Sequence, residues 1–205
     1  MAIEAKEEVK EKVVAPERAW PPSQGEWTYE DYLRLPEDRW RYEVIKGRLY
    51  MAPPPKEPHQ YASIELSTAF HSFVKERGLG RVYAAPFEVV LPEAVVQPDI
   101  VFISAERVEE IVTPDGVRGA PDLVVEILSP INWLADRREK FELYRSSGVR
   151  EYWIVDTKTP SIEVFVLREG EYELMGQWGV GEIARSEVLA GFEVAVDDIC
   201  RRSEA

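Results

Sequence analysis

The chain has 205 residues, 45% of them hydrophobic and 31% charged, with a formal net charge of −13. This composition suits one sizeable globular domain with extensions. Its acidity counts against a protein that grips DNA through a broad basic face, although basic residues gathered on one face remain compatible with it. Metal-binding carboxylates would themselves add negative charge for a cation to offset. The single cysteine, Cys200, excludes an internal disulfide and a cysteine zinc site and fits a reducing compartment. No apolar run approaches the roughly 18 residues of a membrane helix. The charged opening MAIEAKEEVKEKVV lacks an apolar signal core. A cytoplasmic location without a membrane partner is expected.

Residues 1–26 read as an N-terminal extension, with Lys and Glu intermixed before the Pro-rich AWPPSQGE. It is expected to be poorly ordered or docked on a partner, with Trp20 and Trp27 as anchors. Residues 27–205 form a single domain. Thr28 with Asp31 is a helix N-cap signal, and the short helix YEDYLRL stops before Pro36. RYEVIKGRLYMAP predicts a hairpin that turns at Lys46-Gly47. Pro58 opens a helix from His59 to about Arg77, with Tyr61, Ile64, Leu66, Ala69, Phe70 and Phe73 on one broad face. Gly78 and Gly80 stop it. RVYAAPFEVVLP predicts a strand with a proline interruption, and VVQPDIVFIS a strand entered through Pro98. EEIVTPDGVRG reads as a loop. DLVVEILS is a continuous apolar run broken by Glu126, as in a strand buried on both faces. A helix from about Trp133 to Ser147 ends at Gly148. EYWIVD and SIEVFVLREGEYELM are strands, and SEVLAGFEVAVDDIC closes as a strand and a short turn. The class is α+β, a mixed β-sheet flanked by helices.

Alternation of faces puts Asp122, Val124, Glu126 and Leu128 on one side of their strand, and Asp99, Val101 and Ile103 on one side of theirs. If the strands are neighbours, Asp99 and Glu126 point at the same space. Two carboxylates converging on an apolar sheet repel one another and lose hydration. A divalent cation such as Mg²⁺ resolves both problems and can activate a water against a phosphate. Asp136, Lys140 and Tyr144, spaced i, i+4, i+8, lie on one side of the following helix. Plainer readings stand beside these. Asp136 with Lys140 is by itself an ordinary surface pair. Asp99 after Pro98 can be a turn residue. Glu126 can be paired to a buried Arg or Lys. Glu43 alternates in a hairpin, where an exposed acid is normal. His59 beside Pro58 suits a solvated or capping role, and Tyr152 and Trp153 suit packing.

The segments YEVIKGRLYMAPPP followed by His59, QPDIVFI, GAPDLVVEILSP and DRREKFELYRSSGVREYWIVD, with SEVLAGF near the end, occur in this order. Together they resemble the Uma-type restriction endonuclease family, formerly a domain of unknown function, within the PD-(D/E)XK nuclease superfamily. The resemblance runs from about Thr28 to Ile199. It implies a restriction-endonuclease-like αβββαβ core with an N-terminal hairpin extension. It implies a Mg²⁺ or Mn²⁺ site made by Asp99 and Glu126, with Glu43 as a further ligand. The superfamily's usual lysine position, two residues after the acid, is Leu128 here, and the family offers a helix lysine instead, Lys140. Asp136, His59 and Tyr144 are supporting residues. The family's SPST-like turn reads SPIN at Ser129 to Asn132. The expected activity is metal-dependent phosphodiester hydrolysis, an endonuclease acting on DNA, with a homodimer suited to cutting both strands.

Two alternatives compete. One is a nuclease fold without catalysis, used for binding or assembly. The acidic charge favours it, and residues 133–150 carry five basic and three acidic side chains, a modest net +2. The other is a hydrolase of a small nucleotide phosphodiester, which needs no broad basic surface.

Overall fold

In the computed structural model, residues 19–129 and 136–200 are described, with Asp136 and Arg137 described in backbone only. Residues 1–18 of the expected extension, the Pro130 to Asn132 part of the SPIN turn and Trp133 lie outside the described residues.

Where one mixed sheet is expected, two six-stranded sheets form. The strands in chain order are β1 (Arg41–Ile45), β2 (Arg48–Ala52), β3 (Gly80–Ala84), β4 (Glu88–Leu91), β5 (Ala94–Val96), β6 (Ile100–Ser104), β7 (Val112–Thr113), β8 (Gly116–Arg118), β9 (Leu123–Ile127), β10 (Glu151–Asp156), β11 (Ser161–Arg168), β12 (Glu171–Gly179), β13 (Ile183–Arg185) and β14 (Glu193–Ala195). The first sheet runs β2-β1-β5-β4-β8-β7, the second β12-β11-β10-β9-β6-β3, and β13 pairs with β14. Both are mixed. β9 and β10 are parallel, as are β4 and β8, and the other pairs are antiparallel. The split falls where proline interrupts each apolar run. VVQPDIVFIS is two strands, β5 and β6, parted at Pro98-Asp99. RVYAAPFEVVLP is likewise β3 and β4, parted at Pro86. Proline cannot donate to a ladder, so each run changes sheet at its proline. EEIVTPDGVRG is also more ordered than a loop: Ala105–Ile111 is helical and β7–β8 is a small hairpin.

β9 is buried at all five residues, and its two faces serve two cores. Leu123, Val125 and Ile127 pack toward the long helix Glu57–Arg77, where Phe70 stacks on Phe192 at 4.3 Å and meets Trp153 edge-on at 5.4 Å. Val124 and Leu128 pack on the other side, against the first sheet and the helix Phe141–Ser147. Glu126 alternates onto this second face. Tyr152 and Trp153 are fully buried packing residues. The long helix buries a narrower stripe than its composition suggests: His59, Ala62, Leu66, Phe70 and Val74. These intervals of three and four residues are the helical repeat. Ile64, expected on that face, is 63% exposed.

Thr28 and Asp31 form the expected capping box. The first hairpin turns at Lys46 (φ 48°) and Gly47 (φ 72°), both left-handed as a tight two-residue turn requires. A Cβ at Gly47 would stand 2.4 Å from the carbonyl oxygen of Gly25. The amides of Gly25 and Trp27 donate to the Gly47 carbonyl at 2.7 and 2.9 Å, so residues 25–27 dock on the chain's own hairpin. Trp20 meets the buried Trp27 edge-on at 5.7 Å. At the other end, the carboxylate of Glu151 fastens the C-terminal segment. It accepts from Trp153 Nε1 (2.7 Å), Ser186 Oγ (2.6 Å) and the amides of Glu187 (2.7 Å) and Val188 (2.8 Å). No helix among the described residues is long and apolar enough to cross a membrane.

Candidate active site

The pairing of β6 with β9 brings the two central acids together. Ile100 lies opposite Val125 and Val101 opposite Val124, antiparallel, so Asp99 enters beside Glu126 on the same face. The amide of Ile127 donates to Asp99 Oδ2 at 2.7 Å. Both acids are almost fully buried, at 2% and 1% exposure. They stand where the second sheet meets β1 of the first sheet.

β1 supplies two further groups. Period-two alternation turns Arg41 and Glu43 to one side. Arg41 donates to Asp99 Oδ1 at 2.8 Å and to the Gln97 carbonyl at 3.3 Å. Glu43 is buried rather than exposed, and its Oε1 accepts the Gln97 amide at 2.8 Å. The Gln97 side chain donates to Tyr32 Oη, which donates to Glu88.

The helix expected from Trp133 begins, among the described residues, as a π-helical turn, Asp136–Lys140, followed by the α-helix Phe141–Ser147. Such wide turns recur at functional sites. Lys140 is its last residue. Its ammonium donates at 2.9 Å to both Glu43 Oε1 and Glu126 Oε1, and only 2% of its side chain is exposed. One helical turn on, Tyr144 donates to the same Glu126 oxygen at 2.6 Å. Tyr50 of β2 donates to Glu139, which ties the hairpin to the π turn. Lys140 is therefore buried rather than on the surface, and the side chain of Asp136 lies outside the described residues. Glu126 does meet a buried lysine, as its plainer reading allowed, and that lysine is the one singled out for chemistry. Leu128 is buried in the apolar layer on the face of Glu126, so no cation arrives from that position.

His59, in the first turn of the long helix, is buried rather than solvated. Its Nε2 pairs with Asp99 Oδ2 at 3.2 Å. Burial alone would raise the Asp99 carboxyl. The neighbouring His59, the Arg41 guanidinium and the Ile127 amide outweigh burial and bring it to about 2. Burial pushes the Tyr144 phenol well up, and the Glu126 and Glu43 charges push it further, so it stays a donor.

Leaving the imidazole aside, the carboxylates of Glu43, Asp99 and Glu126 outnumber the cations of Arg41 and Lys140 by one. Among the described residues, no three of His, Cys, Asp and Glu are grouped closely enough as they stand to hold an ion. The Lys140 ammonium takes the space between Glu43 and Glu126. The donor chemistry, carboxylate oxygens beside the His59 imidazole, is nevertheless of the kind that a divalent cation takes.

Of the expected residues, the structure brings together Glu43, His59, Asp99, Glu126, Lys140 and Tyr144. Arg41 and Gln97 were missed. Arg41 was legible, because it precedes Glu43 by two residues in a predicted strand. Gln97 acts through its backbone and leaves no side-chain signal.

No curated protein matches the chain. A solved structure, "a putative nuclease belonging to DUF820 from Anabaena variabilis ATCC 29413", is similar in fold, with a TM-score of 0.69. It is 20% identical, and the match covers 83% of this chain and 95% of that one. The Uma2 family, described as "Putative restriction endonuclease", matches residues 29–197. With most of its length matched, the chain belongs to the Uma2 family.

Proposed function

We propose that this chain is a metal-dependent phosphodiester hydrolase, an endonuclease acting on DNA, with Asp99, Glu126 and Lys140 as its catalytic residues. The observation that carries this reading is the Lys140 ammonium, buried and held at 2.9 Å from each of two carboxylates beside Asp99. Asp99 and Glu126 would hold Mg²⁺ or Mn²⁺, with Glu43 within reach as a further ligand. When bound, such a cation polarises a phosphoryl oxygen and lowers the pKa of a water. The chain's own groups supply the rest. Arg41 and the Ile127 amide keep Asp99 ionised and oriented. Tyr144 fixes Glu126. Lys140 offers a positive charge, in a site shielded from solvent, to the charge that builds on the phosphate. Membership of the Uma2 family, whose description is "Putative restriction endonuclease", supports DNA as substrate. Cutting both strands needs two such sites, which favours a homodimer. The buried, free Cys200 fits the cytoplasm.

The test is a plasmid-cleavage assay with Mg²⁺ or Mn²⁺ on wild type and Asp99→Ala, each with a melting curve. Cleavage that EDTA stops and that a folded Asp99→Ala lacks is the expected result. A folded Asp99→Ala that cuts like wild type would falsify the assignment.

A second reading, a nuclease fold used for binding or assembly, is favoured by the net charge of −13 and by the clasp of Lys140 on both glutamates. A calorimetric Mn²⁺ titration without a site would favour it. Salt-insensitive hydrolysis of small phosphodiesters would instead point to a small-nucleotide substrate.

A further inference from the structure

Each six-stranded sheet ends in two edge strands, and β2, β7 and β12 are blunted. On β2, the Gln24 side chain donates to the Leu49 carbonyl at 3.2 Å and accepts its amide at 2.9 Å. β7 is two residues long. β12 is bulged: Val164 pairs with Gly176 and Phe165 with Leu174, which leaves Met175 as an extra residue. Natural sheets use such devices against edge-to-edge pairing. β3 has no proline, lysine or bulge within Gly80–Ala84, and among the described residues no strand lies outside it.

The outward groups of β3 follow from its bonds to β6. The Leu79 carbonyl accepts the Ala105 amide at 2.9 Å, and the Ala85 amide donates to the Asp99 carbonyl at 3.0 Å, so residues 79 and 85 turn inward. Alternation turns Arg81 and Tyr83 inward as well and directs the amides and carbonyls of Gly80, Val82 and Ala84 out of the sheet. A groove of about 470 Å³ lies along this edge. Val74 of the long helix lines it on the face of Val82, and Val108 on the face of Tyr83, so a second strand has room on both sides.

We propose that β3 pairs with β3 of a second copy of this chain, antiparallel about a two-fold axis at Val82. The strand is complementary to itself in this register. Gly80 faces Ala84 of the second copy and Val82 faces its own equivalent, small and apolar residues throughout. On the other face Arg81 meets Tyr83 of the second copy, a cation against an aromatic ring, and no like charges stand opposite within the strand pair. This interface names the homodimer of the nuclease reading, and its value for cleavage rests on that reading. The axis runs perpendicular to the sheet, so both Asp99–Glu126 sites face the same side. Asp99 lies opposite Ala85, three residues from the axis and one strand further in. With about 3.3 Å per residue and about 4.8 Å between strands, the two Asp99 positions stand about 25 Å apart, inside one turn of B-DNA, about 34 Å.

The experiment is sedimentation velocity across a concentration series for wild type, Val82→Pro and the control Leu174→Lys on the edge of β12, with melting curves. Proline is tolerated on an edge strand where its nitrogen faces outward, but it removes the amide at the axis. Wild type and Leu174→Lys should form dimers, and Val82→Pro should need at least about tenfold higher concentration. A second readout does not depend on Val82→Pro folding: Arg81→Cys is mixed with Tyr83→Cys and oxidised. Facing positions lie about 4.5 Å apart, within disulfide reach, and like positions more than about 7 Å apart. The mixture should cross-link between chains, and neither variant alone should. A wild type that is monomeric throughout, or a dimer whose mixture does not cross-link, overturns this interface and leaves the nuclease reading standing. A cross-linking dimer that cuts no plasmid in Mg²⁺ or Mn²⁺ leaves the interface standing and overturns the nuclease reading.

Discussion

Replacing Lys140 with Met tests whether the lysine is part of the fold's charge balance as well as its chemistry. The side chain of Lys140 is 2% exposed, and the Glu43 and Glu126 side chains it joins are 7% and 1% exposed. Met keeps most of the stem's volume and removes the charge. Two buried carboxylates then face each other, one still held by Tyr144 and the other by the Gln97 amide. Removing one partner of a buried ion pair typically costs about 3–5 kcal/mol. Solvent screening is slight here because all three side chains are nearly inaccessible. For a domain of this size each kcal/mol moves Tm by about 2–4 °C, so Lys140→Met should melt roughly 10 °C below wild type in EDTA. A divalent cation bound between the same carboxylates replaces the lost charge. At 100 times its Kd it would restore about 2.7 kcal/mol. Scanning calorimetry of both proteins, in EDTA and in Mg²⁺ or Mn²⁺, reads both effects. A variant that melts within about 2 °C of wild type in EDTA would refute the charge argument. A low Tm that no divalent cation raises would refute the claim that these acids can hold one.

Asp99 should make the fold acid-sensitive over a defined window. Its carboxyl sits at about 2, below its ordinary 3.8, so its contribution is complete above pH 4 and is lost as pH falls toward 2. At 1.36 kcal/mol per pKa unit this is about 2 kcal/mol. The stability gap between wild type and Asp99→Asn in EDTA should shrink by that amount between pH 5 and pH 2, and a pH-independent gap would refute it. Glu151→Ala removes the acceptor for an indole, a hydroxyl and two amides at once. The expected loss is about 3 kcal/mol or more, with faster amide exchange at Glu187 and Val188; unchanged exchange there would show that another acceptor takes over. Burial, aided by the charge of Asp156, pushes the Cys200 thiol up to about 11. At pH 8 it should react with a disulfide reagent only after denaturant is added, and rapid labelling of the native protein would contradict its burial.

The site was legible in the sequence wherever period-two alternation carried it. Alternation set Asp99 with Val101 and Ile103, and Glu126 with Val124 and Leu128, and the cross-strand register then brings the two acids onto one face. The sheet division was harder to see. A proline in an apolar run reads equally as an interruption within a strand or as a change of sheet, and only tertiary pairing distinguishes them. Glu43 and His59 were undervalued for a related reason. Each has a local pattern typical of an exposed residue, a hairpin acid and a helix-start histidine, and each is buried because a second element covers it. Local pattern reports the element, whereas burial belongs to the packing of one element on another.

Lys140 shows where pattern reading stops. Strand alternation places any residue two positions after Glu126 on the acid's own face, and Leu128 fills that position with an apolar side chain. The required charge must then cross from another element. The i, i+4 spacing of Lys140 and Tyr144 places both on one side of the helix, but not the distance from that side to the sheet. The structure closes this gap with the π-helical turn Asp136–Lys140. From the end of that turn and the α-helix that follows it, Lys140 and Tyr144 reach the same oxygen of Glu126, at 2.9 and 2.6 Å. A lysine on the strand would be fixed by the sheet. A lysine on a wide helical turn owes its position to the carboxylates it joins, so its loss should disturb the fold and the chemistry together. That coupling is why the melting curve of Lys140→Met is as informative as its cleavage assay.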